Sequence, residues 1–187
     1  MAQRSNRLVD PERSLLLVID LQESYRGKLY EEERVLRATT NLVKAAKILG
    51  VPTVVTEQYP ERLGPTRSEL EEHFDSSTEF FAKRTFSCWG EESLRAHLAG
   101  DGCDQVIVAG IETHVCVTQT VLDLLRADFQ VHVVRDATTS RFELEDATGW
   151  QKLMQTGALP ATTESILFEW LIDSRHDDFK AIHGLVV

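Results

Sequence analysis

Leu15-Leu16-Leu17-Val18-Ile19-Asp20 is the stretch that decides the fold. Its unbroken apolar run is too continuous for a strand with one wet face, and it predicts a strand buried on both faces, as in a parallel sheet covered by helices. Along the rest of the chain, apolar β-rich runs alternate with amphipathic ones. Strands are expected at 14–19, 52–56, 79–82, 105–109 and 130–135, with a short one near 161–163. Helices are expected at about 32–49, near 66–73, and at 91–99, 115–127, 143–156 and 164–172. Within 34–49 the helical period shows in Val35, Leu36, Leu42, Val43, Ala46 and Leu49, and Gly50-Val51-Pro52 stops it. This alternation predicts a single α/β domain, a Rossmann-like three-layer sandwich around a doubly wound, mainly parallel six-stranded sheet in the order 3-2-1-4-5-6.

The 187 residues suit one domain with a sizeable core. We expect a flexible tail over 1–13 and the folded domain over 14–187, with the Pro- and Gly-bearing segment 58–66 a loop inside it. The formal charge of −10, from 30 acidic against 20 basic residues, offers no basic stripe for a phosphate backbone and argues against nucleic acid and anionic membranes as partners. The polar start lacks the apolar core of a signal peptide and no later run approaches a membrane span, so a cytoplasmic protein is expected. Three cysteines without a paired motif fit reduced thiols, with Cys88 and Cys103 structural.

The third cysteine is different. In Val-Ile-Val-Ala-Gly-Ile-Glu-Thr-His-Val-Cys-Val (106–117) an apolar strand ends near Gly110 and a helix begins a few residues later, so Cys116 sits where backbone N–H groups converge. Asp20 ends the first strand, and Lys83 follows the short aromatic strand Thr-Glu-Phe-Phe-Ala (78–82). A cysteine, a carboxylate and a lysine at the carboxyl ends of parallel strands share one edge of the sheet, the edge where open α/β proteins bind ligands. The strand order makes strands 1 and 4 neighbours, which brings Asp20 to Cys116, but it leaves Lys83 two strands away. A thiol with its ordinary pKa is only slightly ionised at neutral pH, so a cysteine nucleophile needs a base or a stabilising cation, and Asp20 and Lys83 are suited to supply both.

In Leu-Val-Ile-Asp-Leu-Gln (17–22), Ala-Lys-Arg-Thr-Phe-Ser-Cys-Trp (82–89) and Gly-Ile-Glu-Thr-His-Val-Cys-Val (110–117), the chain resembles the isochorismatase-like cysteine hydrolases, and most closely their isochorismatase-domain-containing members. The resemblance implies that Asp20, Lys83 and Cys116 form a catalytic triad, that the backbone N–H groups of Glu112 and Cys116 form an oxyanion hole, and that the Ile111–Glu112 peptide is cis. It also implies a hydrolase that forms a thioester on Cys116 from a small amide-like or related carbonyl substrate and works as a homo-oligomer. No cofactor is implied. Metal-binding members carry an Asp-x-His motif after the second strand, where this chain reads Thr56-Glu57-Gln58-Tyr59-Pro60, and His73 reads as a surface histidine, so no metal is expected. Vinyl-ether hydrolysis of the isochorismatase type is the alternative, together with a binding protein that retains the triad.

Around the triad, Tyr25, Phe86 and Trp89 are candidates for an aromatic pocket wall or for core, and Gln22 for orienting Asp20 or a ligand. His114 is expected to line the pocket rather than serve as the base. Trp150, Phe168, Trp170 and Leu171, at helical spacing, are expected in the core or in a subunit contact.

Overall fold

The apolar run that opens the argument is the centre of the sheet. In a computed structural model, which describes residues 4–187, β1 (Ser14–Ile19) is buried at every position. It pairs in parallel with β2 (Thr53–Gln58) on one side and β4 (Gln105–Ile111) on the other. β3 (Glu79–Lys83) lies outside β2, and β5 (Gln130–Thr139) and β6 (Leu159–Ala161) extend the sheet beyond β4, which gives the order β3-β2-β1-β4-β5-β6. All these pairings are parallel, as the expected doubly wound sheet requires.

Because side chains alternate along a strand, β1 feeds two cores. Leu16 and Val18 pack with α1 (Glu32–Leu49), α3 (Ser68–Glu71), α7 (Thr163–Leu171) and α8 (Phe179–His183) through Val35, Leu42, Leu70, Ile166 and Ile182. Leu15, Leu17 and Ile19 pack on the other face with α4 (Glu92–Gly100), α5 (Thr118–Arg126) and α6 (Glu143–Leu153) through Leu94, Val121, Leu124 and Leu153. At the carboxyl end of β1 the neighbouring strand approaches closely: a Cβ on Gly110, whose φ is +114°, would stand 2.1 Å from the Ile19 carbonyl oxygen. Only glycine fits there, and this contact brings the ends of β1 and β4 together.

Boundaries moved where local chemistry outweighs periodicity. The short sixth strand ends at Ala161 rather than near 163 because Thr162 caps α7 with a reciprocal Ser165 bond. The loop 58–66 holds a single turn, α2 (Pro60–Leu63). The expected helix 115–127 opens as a π turn over Thr113–Val117 and becomes regular only at Thr118. α8 was not anticipated.

Of the expected tail, residues 1–3 lie outside the described residues, and the remainder touches the domain. Val9 is fully buried and its N–H donates to Glu169, Asp10 N–H donates to Gln105, and the Arg4 guanidinium donates to the Glu169 carbonyl. The late tryptophans are core: Trp170 is fully buried, with its indole N–H on Ser14 Oγ, and Trp150 is nearly so. Of the two places expected for them, core or subunit contact, both tryptophans take the core. Among the described residues no helix is long and apolar enough to cross a membrane.

Candidate active site

Asp20 leaves β1 with a left-handed backbone, φ 54°, which turns its side chain into the space above the sheet edge. Each carboxylate oxygen has its own donor: Thr56 Oγ1–H at 2.7 Å on Oδ1 and Lys83 Nζ at 2.7 Å on Oδ2. Register explains Thr56, which lies directly opposite Ile19 on β2. Lys83 starts one strand farther out, level with Gln58, and its long side chain passes over the end of β2 to reach the carboxylate. Its ammonium also donates to Gln58 Oε1 at 2.7 Å and approaches the carbonyls of Thr85 and Phe86 at 3.3 and 3.2 Å. Burial is the largest single influence and pulls the Lys83 pKa down, but the charge and hydrogen bond of Asp20 together with the neighbouring Cys88 and Cys116 outweigh it and hold the ammonium above its ordinary value. The ion pair is almost wholly withdrawn from water, with side-chain exposures of 0% and 2%.

Cys116 sits in the π turn that joins β4 to α5, and the Ile111–Glu112 peptide just before that turn is cis. The turn is closed by N–H donation from Val115 and Val117 to the Glu112 carbonyl. Cys116 is 7% exposed. Burial raises its thiol pKa and the neighbouring Asp20 carboxylate raises it further, while Lys83 pulls the other way. The net shift is upward, so the positive field expected of the strand–helix junction does not prevail, and the resting side chain is a thiol beside a carboxylate. Cys88, fully buried, is pushed up by burial to about 11, and Cys103 to about 12.

Residues 14–165 match the isochorismatase domain. The chain belongs to the isochorismatase family. A secreted isochorismatase effector, Isc1 of Phytophthora sojae (strain P6497), is 39% identical over 98% of this chain and 89% of its own length. Isochorismatase domain-containing protein 1 of Danio rerio is 35% identical over 95% of this chain, which spans 62% of that protein. Among solved structures, MAR1 ribonuclease from Caenorhabditis elegans superposes with a TM-score of 0.91 at 36% identity, covering 96% of this chain and 92% of that one. The molecule is thus an isochorismatase-family hydrolase built on an all-parallel version of the α/β sandwich.

Around Asp20, Lys83 and Cys116 of this isochorismatase domain the expected pocket residues divide. Tyr25 is close: burial raises its phenol pKa, and the charges of Glu112, Cys116 and Asp20 add to the shift. Phe86 presents a ring that is 54% exposed while its carbonyl faces Lys83. Trp89 turns inward, edge-on to Phe129 with ring centres 5.6 Å apart, and packs on the core. Gln22 does not reach Asp20: its amide donates to the carbonyls of Gln58 and Gly64 and accepts from Gln58 N–H, so it pins the 58–66 loop to β2. His114 pairs through Nδ1 with Ser140 Oγ at 2.9 Å.

Three residues of the site escaped the sequence reading. Thr56 and Gln58 share the charge relay around Asp20 and Lys83; their signal was a polar residue ending an apolar strand. Arg141 donates from its backbone N–H and from Nε to Glu112 Oε1, at 3.0 and 2.9 Å, and so neutralises a carboxylate that is only 8% exposed. Nothing in its local sequence marks that role. His73 lies away from the site, in a cleft shared with Lys47, Pro52 and Asp75 at the amino end of β2. Among the described residues, no three His, Cys, Asp or Glu side chains gather as a metal ion requires.

Proposed function

We propose that this protein is a metal-independent cysteine hydrolase that cleaves a small amide-like or related carbonyl substrate through a thioester on Cys116. The reading is carried by one observation: a buried carboxylate, held by Lys83 on one oxygen and by Thr56 on the other, stands beside the thiol of Cys116 and raises its pKa. A thiol so placed needs no resident negative charge. As Sγ bonds to the carbonyl carbon, the thiol proton passes to Asp20 and the carbonyl oxygen takes up the electron pair, with the N–H groups of Glu112 and Cys116 as its donors. The oxyanion then collapses, the carbon–nitrogen bond breaks, and the proton on Asp20 goes to the departing nitrogen. Asp20 next deprotonates water, which attacks the thioester; collapse releases the acid, and the sulfur recovers the proton. Lys83 keeps Asp20 oriented throughout and balances its charge.

This chain reads Thr56-Glu57-Gln58-Tyr59-Pro60 where metal-binding relatives carry an Asp-x-His motif and a second histidine, and the use of Thr56 and Gln58 in the ion pair supports metal-independent chemistry. The C. elegans relative is named a ribonuclease. A chain with a formal charge of −10 and a site whose pairs Asp20–Lys83 and Glu112–Arg141 cancel favours a small substrate over a polyanion. Unpaired Cys88, Cys103 and Cys116 support a reducing, cytoplasmic setting. Exposed Phe142 and Leu144, at 63% and 73%, support self-association. The test is a screen of small primary amides and ureido compounds for ammonia release, with Cys116→Ala as control. Turnover that is lost in the variant supports the reading, and equal turnover in both proteins overturns it.

A further inference from the structure

α6 rests directly on the turn that carries Cys116. A Cβ on Gly149 would lie 2.9 Å from both the Cα and the N of His114 and 3.0 Å from the carbonyl carbon of Thr113, so helix and turn meet backbone to backbone. One helical turn earlier on the same face, Asp146 is 1% exposed and accepts the Thr113 hydroxyl at 2.6 Å on Oδ1. Its other oxygen lies 2.9 Å from Arg135 Nη1, on β5. The Thr113 carbonyl in turn receives the Thr118 hydroxyl from the first turn of α5. Thr113 is therefore held from both sides, between α6 and α5.

This arrangement is dear in free energy. A carboxylate withdrawn from water is costly unless its lone pairs are used, and an apolar pair at 113 and 146 would fill the same space. Glycine inside a helix is less favourable than alanine. Both features act on one object, the five-residue π turn Thr113–Val117 that follows Glu112 and contains Cys116, a form of helix that is rare and recurs at functional sites. We propose that Asp146 is a positioning residue which, through the Thr113 hydroxyl and aided by the Gly149 contact, fixes the turn so that the oxyanion donors and the Cys116 thiol stand in register with Asp20. This rests on the hydrolase reading given above. A shift of the turn by an ångström is enough to lower turnover about a hundredfold.

The variants are Thr113→Val, Asp146→Asn, Gly149→Ala and, as the conservative control, Thr113→Ser. Each is measured for kcat and KM on an amide from the screen. Each is also measured for the rate at which iodoacetamide alkylates Cys116, followed by mass spectrometry. The expected result is that Thr113→Val and Gly149→Ala lose about tenfold or more in kcat with KM changed by less than about threefold, that Asp146→Asn falls in between, and that Thr113→Ser stays near wild type. Alkylation of Cys116 should shift by about threefold or more in Thr113→Val and Gly149→Ala and not in Thr113→Ser. Wild-type kcat and alkylation rates in folded Thr113→Val and Gly149→Ala overturn the proposal. An absence of hydrolysis by the wild-type protein instead overturns the hydrolase reading, and the alkylation rates then decide the clamp alone. Should one variant fail to fold, the isosteric Asp146→Asn carries the same comparison.

Discussion

Lys83 donates a 2.7 Å hydrogen bond to Asp20 although β2 lies between their strands. The gap is bridged because β2 ends in polar side chains: Thr56 supports the carboxylate and Gln58 supports the ammonium, both at 2.7 Å. Asp20, Lys83 and Thr56 are buried, Gln58 is half-buried, and the four form one hydrogen-bonded network in which no charge lacks a partner. Its stability and its chemistry can therefore be separated by substitution.

Lys83→Met should destabilise the protein by about 3–5 kcal/mol, because it strands the Asp20 carboxylate in the core. Adding Asp20→Asn should restore a large part of that loss, since the double variant carries no buried charge at the site, while hydrolysis stays abolished. Urea midpoints for the two single variants and the double variant check this. A double variant no more stable than Lys83→Met would show that the pair is not energetically coupled.

The fold was legible because β1 and β4 are built on continuous apolar runs, and the turn residues between elements mark their ends. Asp20 and Cys116 were legible for the same reason: each follows a run that ends at the sheet edge, and strands 1 and 4 are neighbours in this order. Lys83 was not placed by topology, and only the reach of its side chain and the polar ends of β2 explain it. Gln22 misled because a buried amide next to a catalytic candidate reads as functional, whereas here its donors and acceptor go to the loop backbone. Arg141 and Asp146 act from the loop after β5 and from α6 across contacts distant in sequence, and local patterns carry no information about such pairs.

Cys116 should respond to loss of Asp20 in two opposite ways. The Asp20 carboxylate is, after burial, the main influence raising the thiol pKa, so Asp20→Asn should lower that pKa and speed alkylation by iodoacetamide near pH 8. Hydrolysis should fall by at least about a hundredfold, because the proton then has no acceptor during attack. Slower alkylation together with lost turnover would show instead that Asp20 stabilises a thiolate.

Thr56→Val should lower kcat by about tenfold, since Asp20 loses the donor that fixes Oδ1 and keeps only Lys83. Thr56→Ser keeps the hydroxyl and should remain within about threefold of wild type. Steady-state kinetics on one amide substrate suffices, and a loss in Thr56→Ser as large as in Thr56→Val would show that the hydroxyl bond to Asp20 does not by itself carry the effect.

Acid should weaken the fold through His132, at the opposite end of the sheet from the site. The imidazole is 3% exposed and lies 2.8 Å from the side-chain nitrogen of Gln130, which can only donate, so Nε2 must be unprotonated. Burial, with the charge of Arg7 adding to it, pushes its pKa down from 6.5 to about 4. The unfolded chain binds the proton first on acidification, so the contribution is complete above pH 6.5 and drains away as pH falls from 6.5 to about 4. The loss over that window is of order 2–3 kcal/mol. Glu23 and Asp173, held at about 2 mainly by their hydrogen bonds to Arg26 and Arg175, titrate below it. His132→Leu should therefore be less sensitive than wild type to a change from pH 7.5 to pH 4.5 when both are followed by urea unfolding, and the two curves should run parallel below pH 4. Equal sensitivity across the window would mean that the imidazole is protonated in the native state.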